Sequence, residues 1–141
     1  MKSILFVCTG NSARSIIAES IVNRHYKNSF TAYSAGSNPG AAINQNVKNY
    51  LEKKGYNCSK CYPKNFDTFL DGKIKMEYVI TVCSNAYNEF CPVWPKKDKI
   101  IHWNIEDPVK KMTNVDSTMK AIEETYNIVT TKIKKLFNSQ K

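Results

Sequence analysis

The chain has 141 residues, 42% of them apolar and 23% charged, which fits one globular domain able to bury a core without disulfide staples. Its formal net charge is +9, but the basic residues fall in short scattered runs such as Lys96-Lys97 and Lys110-Lys111, with no aromatic interleaving. That reads as a solvated surface and argues against a nucleic-acid partner. No apolar run is long enough to span a bilayer, and the N-terminal Ile4-Leu5-Phe6-Val7 is too short for a secretory leader. The cysteine count of five is odd, so the chain reads as a cytoplasmic protein without a structural disulfide framework.

In chain order, strands and helices alternate. Ile4 to Val7 is a buried strand that ends at Cys8. A helix follows from Ser15 to Tyr26, with Ile17, Ile21 and Val22 on one face. Phe30 to Ser34 alternates as a second strand and closes at Ala35-Gly36. Asn44 to Lys54 is a helix with Val47, Tyr50 and Leu51 inward and Gly55 as its stop. Tyr78 to Val82 is a third strand ending at Cys83, and Lys99 to Trp103 is a fourth, followed by Glu106-Asp107-Pro108. The last helix runs from about Asp116 to Phe137, with Met119, Ile122, Tyr126, Val129, Ile133 and Leu136 stepping along one core-facing stripe. This alternation predicts a single α/β domain over residues 1–141 with a parallel sheet. In open α/β sheets ligands bind beyond the carboxyl ends of the strands. Cys8, Cys83 and the Asp107 loop all fall there.

The segment Cys8-Thr9-Gly10-Asn11-Ser12-Ala13-Arg14-Ser15 joins the first strand to the first helix. Gly10 permits a tight turn, and the loop N–H groups can form a nest for an anion. The helix N-terminus adds partial positive charge, and Arg14 offers a planar fork for two oxygens of a phosphate-like group. The same charges favour a thiolate at Cys8, and the Ser15 hydroxyl can donate to the sulfur. Read alone, Cys8 is as readily a strand-end core cysteine. With Gly10, Arg14 and Ser15 in register it points to a nucleophile. Asp107-Pro108 is by itself a common turn, but a carboxylic acid at a pocket mouth also protonates leaving groups. Cys58-Ser59-Lys60-Cys61 is a lone CxxC without a second pair at zinc spacing, and reads as packing or surface cysteines.

The loop, together with Ala18-Glu19, resembles the signature of low-molecular-weight protein-tyrosine phosphatases and of the arsenate reductases that share their fold. The resemblance continues through Tyr33-Ser34-Ala35-Gly36-Ser37 and Pro63-Lys64-Asn65-Phe66-Asp67. It resumes at Thr81-Val82-Cys83-Ser84-Asn85-Ala86, Cys91-Pro92-Val93-Trp94-Pro95 and His102-Trp103 with Glu106-Asp107-Pro108. The later blocks look like the arsenate reductase branch. The resemblance implies a three-layer α/β sandwich around a four-stranded parallel sheet of order 2-1-3-4. It implies Cys8 as nucleophile, Thr9, Gly10, Asn11, Ser12, Ala13 and Arg14 as the oxyanion loop, Ser15 as a partner of the sulfur, and Asp107 as general acid.

In the reductase branch it further implies that Cys8 attacks arsenate and that Cys83 resolves the adduct. Cys91 then carries the disulfide outward to thioredoxin, or to glutathione with glutaredoxin. The polar segment Ser84 to Phe90 would have to move. The alternative is a phosphatase that hydrolyses phosphotyrosine through a phosphocysteine at Cys8. It needs neither Cys83 nor Cys91, and such relatives usually follow the Asp-Pro with an aromatic, where Val109 stands here. Some relatives bind potassium with residues at the positions of Asn11, Glu19 and Ser34 plus a carboxylate, for which Asp67 is the nearest candidate. No tightly bound cofactor is implied, and the chain reads as a monomer.

Overall fold

The run Ile4-Leu5-Phe6-Val7 is apolar at every position, so both of its faces need cover, as on an inner strand of a parallel sheet. In the computed structural model, which describes residues 2–11, 13–59, 61–83 and 99–138, this run is the centre of β1 (Lys2–Cys8). Helix α1 (Arg14–His25) leads to β2 (Phe30–Gly36), and α2 (Gln45–Lys53) follows. A 3-10 turn at Phe66–Phe69 precedes β3 (Met76–Cys83). Then come β4 (Ile100–Asn104), a second 3-10 turn at Pro108–Lys111, and α3 (Val115–Asn138). The strands form one parallel sheet in the order β2-β1-β3-β4, as the resemblance implies.

The register sets what meets at the functional edge. Cys8 pairs with Gly36, Val7 with Thr81, and Cys83 with Asn104. Because every strand runs the same way, all four carboxyl ends share one edge, and both Cys8 and Cys83 lie on it. Helices α1, α2 and α3 cover one face of the sheet, packing Ile17, Leu51, Ile122 and Ile133 against Ile4, Phe6 and Ile80. The other face carries Leu5, Val7, Ala35 and Val79, closed by Phe69 with Phe66, Leu70 and Ile74 around it. These are the three layers.

Local signals explain the ends of α2. Asn44 stands just before it as a cap, its side-chain oxygen accepting from the N–H groups of Asn46 and Val47 at 3.0 and 3.3 Å. Gly55, at φ +94°, lets the chain turn away in a conformation other residues resist. The stripe expected on α3 is partly displaced. Met119 is 41% exposed, and Thr118, Ala121, Thr125 and Phe137 are buried with Ile122, Val129 and Ile133. Apolar periodicity missed the threonines because their hydroxyls are satisfied inside the helix. Thr118 donates to Asn114 O at 2.6 Å and Thr125 to Ala121 O at 2.9 Å, so burying them leaves no orphaned polar group.

Ile80 is fully buried on β3, whereas Ile128 on α3 is 45% exposed. Ile80→Ala is expected to lower unfolding free energy by about 2–5 kcal/mol, and Ile128→Ala to change it by no more than about 0.5 kcal/mol. Urea midpoints at constant slope check both.

Candidate active site

The loop after β1 is shaped by what holds its carbonyl groups. The N–H of Ser37 donates to Cys8 O at 3.2 Å, that of Asn38 to Thr9 O at 2.9 Å, and that of Gly40 to Gly10 O at 3.1 Å. Three successive carbonyls are thus drawn toward the segment after β2. Opposite the tethered carbonyls, the N–H of Asn11 donates to Cys8 Sγ at 3.0 Å. The loop ends at Ala13, the N-cap of α1, which supplies no side-chain cap, and the first turn holds no acidic residue. The positive end of the helix dipole therefore faces the loop with no carboxylate in the first turn to offset it.

Asn11 is the residue that ties this loop together. It adopts φ 51°, in the left-handed region, and is fully buried. Its Oδ1 accepts from the N–H of Lys64 at 2.9 Å, and its Nδ2 donates to Ser15 Oγ at 2.7 Å. Because Ser15 Oγ accepts that hydrogen bond, its own hydroxyl hydrogen is available to Cys8 Sγ, 3.0 Å away. The side chain of Asn11 thus links the loop to Ser15 and to the main chain at Lys64.

Arg14 is 3% exposed. Its Nη1 donates to Ile105 O at 2.9 Å, and its Nη2 lies 3.9 Å from Asp107 Oδ2. A buried guanidinium needs such partners, and here they come from the chain just after β4. Asp107 does two things. Its Oδ1 accepts from the N–H of Val109 at 3.0 Å and caps the Pro108–Lys111 turn, while Oδ2 is the atom nearest Arg14. The turn reading and the site reading of Asp107 therefore describe different oxygens of one carboxylate.

Cys83 is fully buried at the end of β3, the strand beside β1. Strand alternation places it with Val79 and Thr81, on the opposite side of the sheet from Ile80, Val82 and Cys8. Cys83 is disulfide-bonded, whereas Cys8, Cys58 and Cys61 carry free thiols. Ser12, Cys91 and the segment 84–90 lie outside the described residues.

Of the four residues matched to a potassium site, Glu19 and Ser34 meet: the Ser34 hydroxyl donates to both carboxylate oxygens at 3.1 and 3.3 Å. Burial pushes the Glu19 carboxyl up, opposed by the positive charge of Lys64 and by the Ser34 hydroxyl. Asn11 Oδ1 is already an acceptor for Lys64 N–H. Asp67 is exposed on the Phe66–Phe69 turn, with its N–H bonded to Asn65 Oδ1 at 2.8 Å. Of this set the structure thus brings Glu19 and Ser34 together, with the Lys64 charge acting on Glu19, while Asp67 stands on an exposed turn.

Sequence reasoning missed the outer wall of the loop: Ser37, Asn38, Gly40, Lys64 and the carbonyl of Ile105. All act through main-chain atoms, which leave no side-chain signature. Gly36 was legible as a strand end but not as a spacer. A Cβ on it would lie 2.5 Å from Thr9 O and 3.1 Å from Asn11 Cβ, so only glycine lets β2 approach the loop this closely.

Residues 3–140 match the model of the family described as low molecular weight phosphotyrosine protein phosphatase, and the chain belongs to that family. Within it, the arsenate reductase of Bacillus licheniformis is 34% identical over 109 residues, 77% of this chain and 76% of that one. The thioredoxin-dependent arsenate reductase of Corynebacterium glutamicum superposes with a TM-score of 0.69 at 26% identity, covering 99% of this chain and 63% of that one. The low molecular weight protein tyrosine phosphatase of T. tengcongensis superposes with a TM-score of 0.68 at 25% identity, over 96% and 99% of the two chains.

Gly36→Ala is expected to push the loop out of shape, destabilising the fold by about 1–3 kcal/mol and weakening inorganic phosphate binding by about tenfold or more. At Gly40 an added Cβ meets nothing nearer than 3.8 Å, so Gly40→Ala should leave both unchanged. Calorimetric titration with phosphate, beside thermal melts, separates the two variants.

Proposed function

We propose that the chain is a thiol-dependent arsenate reductase. The observation that carries this reading is a nucleophile-ready Cys8, held by Asn11 N–H and Ser15 in an anion-binding loop, with a second cysteine, Cys83, ending the adjacent strand. Arsenate sits against the loop N–H groups and the N-terminus of α1, with the Arg14 fork on two of its oxygens. The Cys8 thiolate attacks arsenic, and Asp107 gives its proton to the departing oxygen, which leaves as water. The cap that Asp107 Oδ1 makes on the following turn and the approach of Oδ2 to Arg14 at 3.9 Å support this role.

The Cys83 thiolate then attacks Cys8 Sγ. The S–As bond breaks with its electron pair passing to arsenic, so arsenic falls from pentavalent to trivalent and a Cys8–Cys83 disulfide forms. Since Cys83 starts on the other side of the sheet from Cys8, the end of β3 has to turn for this step. Cys91 attacks Cys83, frees Cys8, and presents a disulfide to thioredoxin, or to glutathione with glutaredoxin. The reading is of a cytoplasmic monomer acting on a small oxyanion, without nucleic acid, membrane or a tightly bound cofactor. Among the described residues no helix is long and apolar enough to cross a membrane.

Phosphotyrosine hydrolysis is the second reading, supported by the likeness to the T. tengcongensis phosphatase. It uses the same Cys8, Arg14 and Asp107 and leaves Cys83 idle. The test is arsenate-dependent NADPH oxidation with thioredoxin and thioredoxin reductase. The wild-type chain should turn over, Cys8→Ser and Cys83→Ser should fall to background, and Asp107→Asn should lose about 10²- to 10⁴-fold. Silence from the wild type with thioredoxin and with glutathione–glutaredoxin, alongside equal aryl phosphate hydrolysis by wild type and Cys83→Ser, would replace the reductase with the phosphatase.

A further inference from the structure

Cys58 and Cys61 take part in neither the loop chemistry nor the disulfide relay, yet they are organised as a pair. The N–H of Cys61 donates to Cys58 O at 3.1 Å, closing a turn that sets the two thiols near enough for each to act on the other's charge. Ser20 Oγ and Cys61 Sγ share a hydrogen bond at 3.9 Å. Cys58 is 2% exposed. Cys61, by contrast, lines a cleft of about 500 Å³ together with Glu19, Ser20, Asn23, Arg24 and Tyr56. Cys61 is therefore open to a small ligand, and the buried Cys58 is joined to it by the turn.

The chemistry of the pair narrows the ligand. Burial pushes both thiols up, Cys58 to about 12, so neither is a ready attacking thiolate, and a second redox relay is disfavoured. Among the described residues no three His, Cys, Asp or Glu side chains gather as a metal group, whereas a structural zinc site needs four protein ligands. Trivalent arsenic differs on both counts. It is thiophilic and pyramidal, it needs only two protein sulfurs because it brings its third ligand with it, and it takes protonated thiols by releasing water.

We propose that Cys58 and Cys61 form a dithiol site for trivalent arsenic. Arsenous acid condenses with the pair: two As–O bonds break, two As–S bonds form, and the two thiol protons leave with the hydroxyls as two waters. Arsenic stays trivalent, so no oxidant or reductant is consumed. The cleft beside Cys61 gives the remaining hydroxyl room. That this arsenic is the enzyme's own product rests on the reductase reading; the binding does not.

The test uses the full chain with Cys8→Ser, Cys83→Ser and Cys91→Ser, which leaves Cys58 and Cys61 as its only thiols and cannot reduce arsenate. Under a phosphine reductant, phenylarsine oxide should add one C6H5As group per chain by mass spectrometry, replacing two hydrogens, and inorganic arsenite should compete for the site. A further Cys58→Ser or Cys61→Ser should weaken binding by about 10²- to 10⁴-fold, the loss expected when a two-point attachment becomes one-point. Circular dichroism checks folding, and if the buried Cys58→Ser fails to fold, the partly exposed Cys61→Ser decides. No adduct on the two-thiol chain, an adduct that survives the substitution at full affinity, or indifference to arsenite each overturns the proposal. Binding by a protein whose wild type does not reduce arsenate would keep the site and remove only its link to product.

Discussion

Asn11 sits in a backbone conformation that costs an ordinary residue about 1–2 kcal/mol, and three hydrogen bonds hold it there. Its N–H goes to Cys8 Sγ, its Nδ2 to Ser15 Oγ, and its Oδ1 to the N–H of Lys64. At about 0.5–1.5 kcal/mol each, together they outweigh the strain. The result is a loop whose turn is fixed before any anion arrives. A cradle already folded into shape loses little on binding, and its donors need no reorganisation as charge develops. The parallel pairing of Cys8 with Gly36 is the precondition, because it brings Ser37, Asn38 and Gly40 alongside the loop carbonyls.

The electrostatics follow from the same placement. A buried Arg14 near Asp107 forms a linked pair at the end of β4, and the uncapped start of α1 points into the same space. Behind the loop, Glu19 and Ser34 form a second, smaller polar cluster under the influence of Lys64. Lys64 connects the two layers: its side-chain charge acts on Glu19, its N–H holds Asn11, and its carbonyl accepts from Gly36 N–H at 2.8 Å. A change in the 58–64 segment can therefore reach Cys8 through two hydrogen bonds.

Much of this was legible in the residues. The uninterrupted apolar run before Cys8 marked an inner parallel strand, and Gly10, Arg14 and Ser15 marked the turn between that strand and α1. Asp107 read two ways, and the structure shows the turn cap directly, with the second oxygen 3.9 Å from Arg14. On α3 the sequence pattern put Met119 inward, but buried threonines that bond within the helix displaced it. The tethers at Ser37, Asn38 and Ile105 were invisible because main-chain groups make them. The hydrogen bond from Cys61 N–H to Cys58 O closes a turn that their spacing permits without demanding. Cys83 was readable as a strand end, but its side of the sheet emerges only once β3 is registered against β1.

The central claim is that arsenate is reduced at Cys8 with electrons drawn from Cys8 and Cys83. A single-turnover reaction of fully reduced Cys91→Ser with arsenate, quenched in acid and alkylating agent and mapped by peptide mass spectrometry, tests it most directly. The account predicts one arsenite released per chain and a disulfide joining the peptides of Cys8 and Cys83. Cys8 recovered as a free thiol with no arsenite formed, or arsenite formed with Cys8 bonded to a different cysteine, would contradict it.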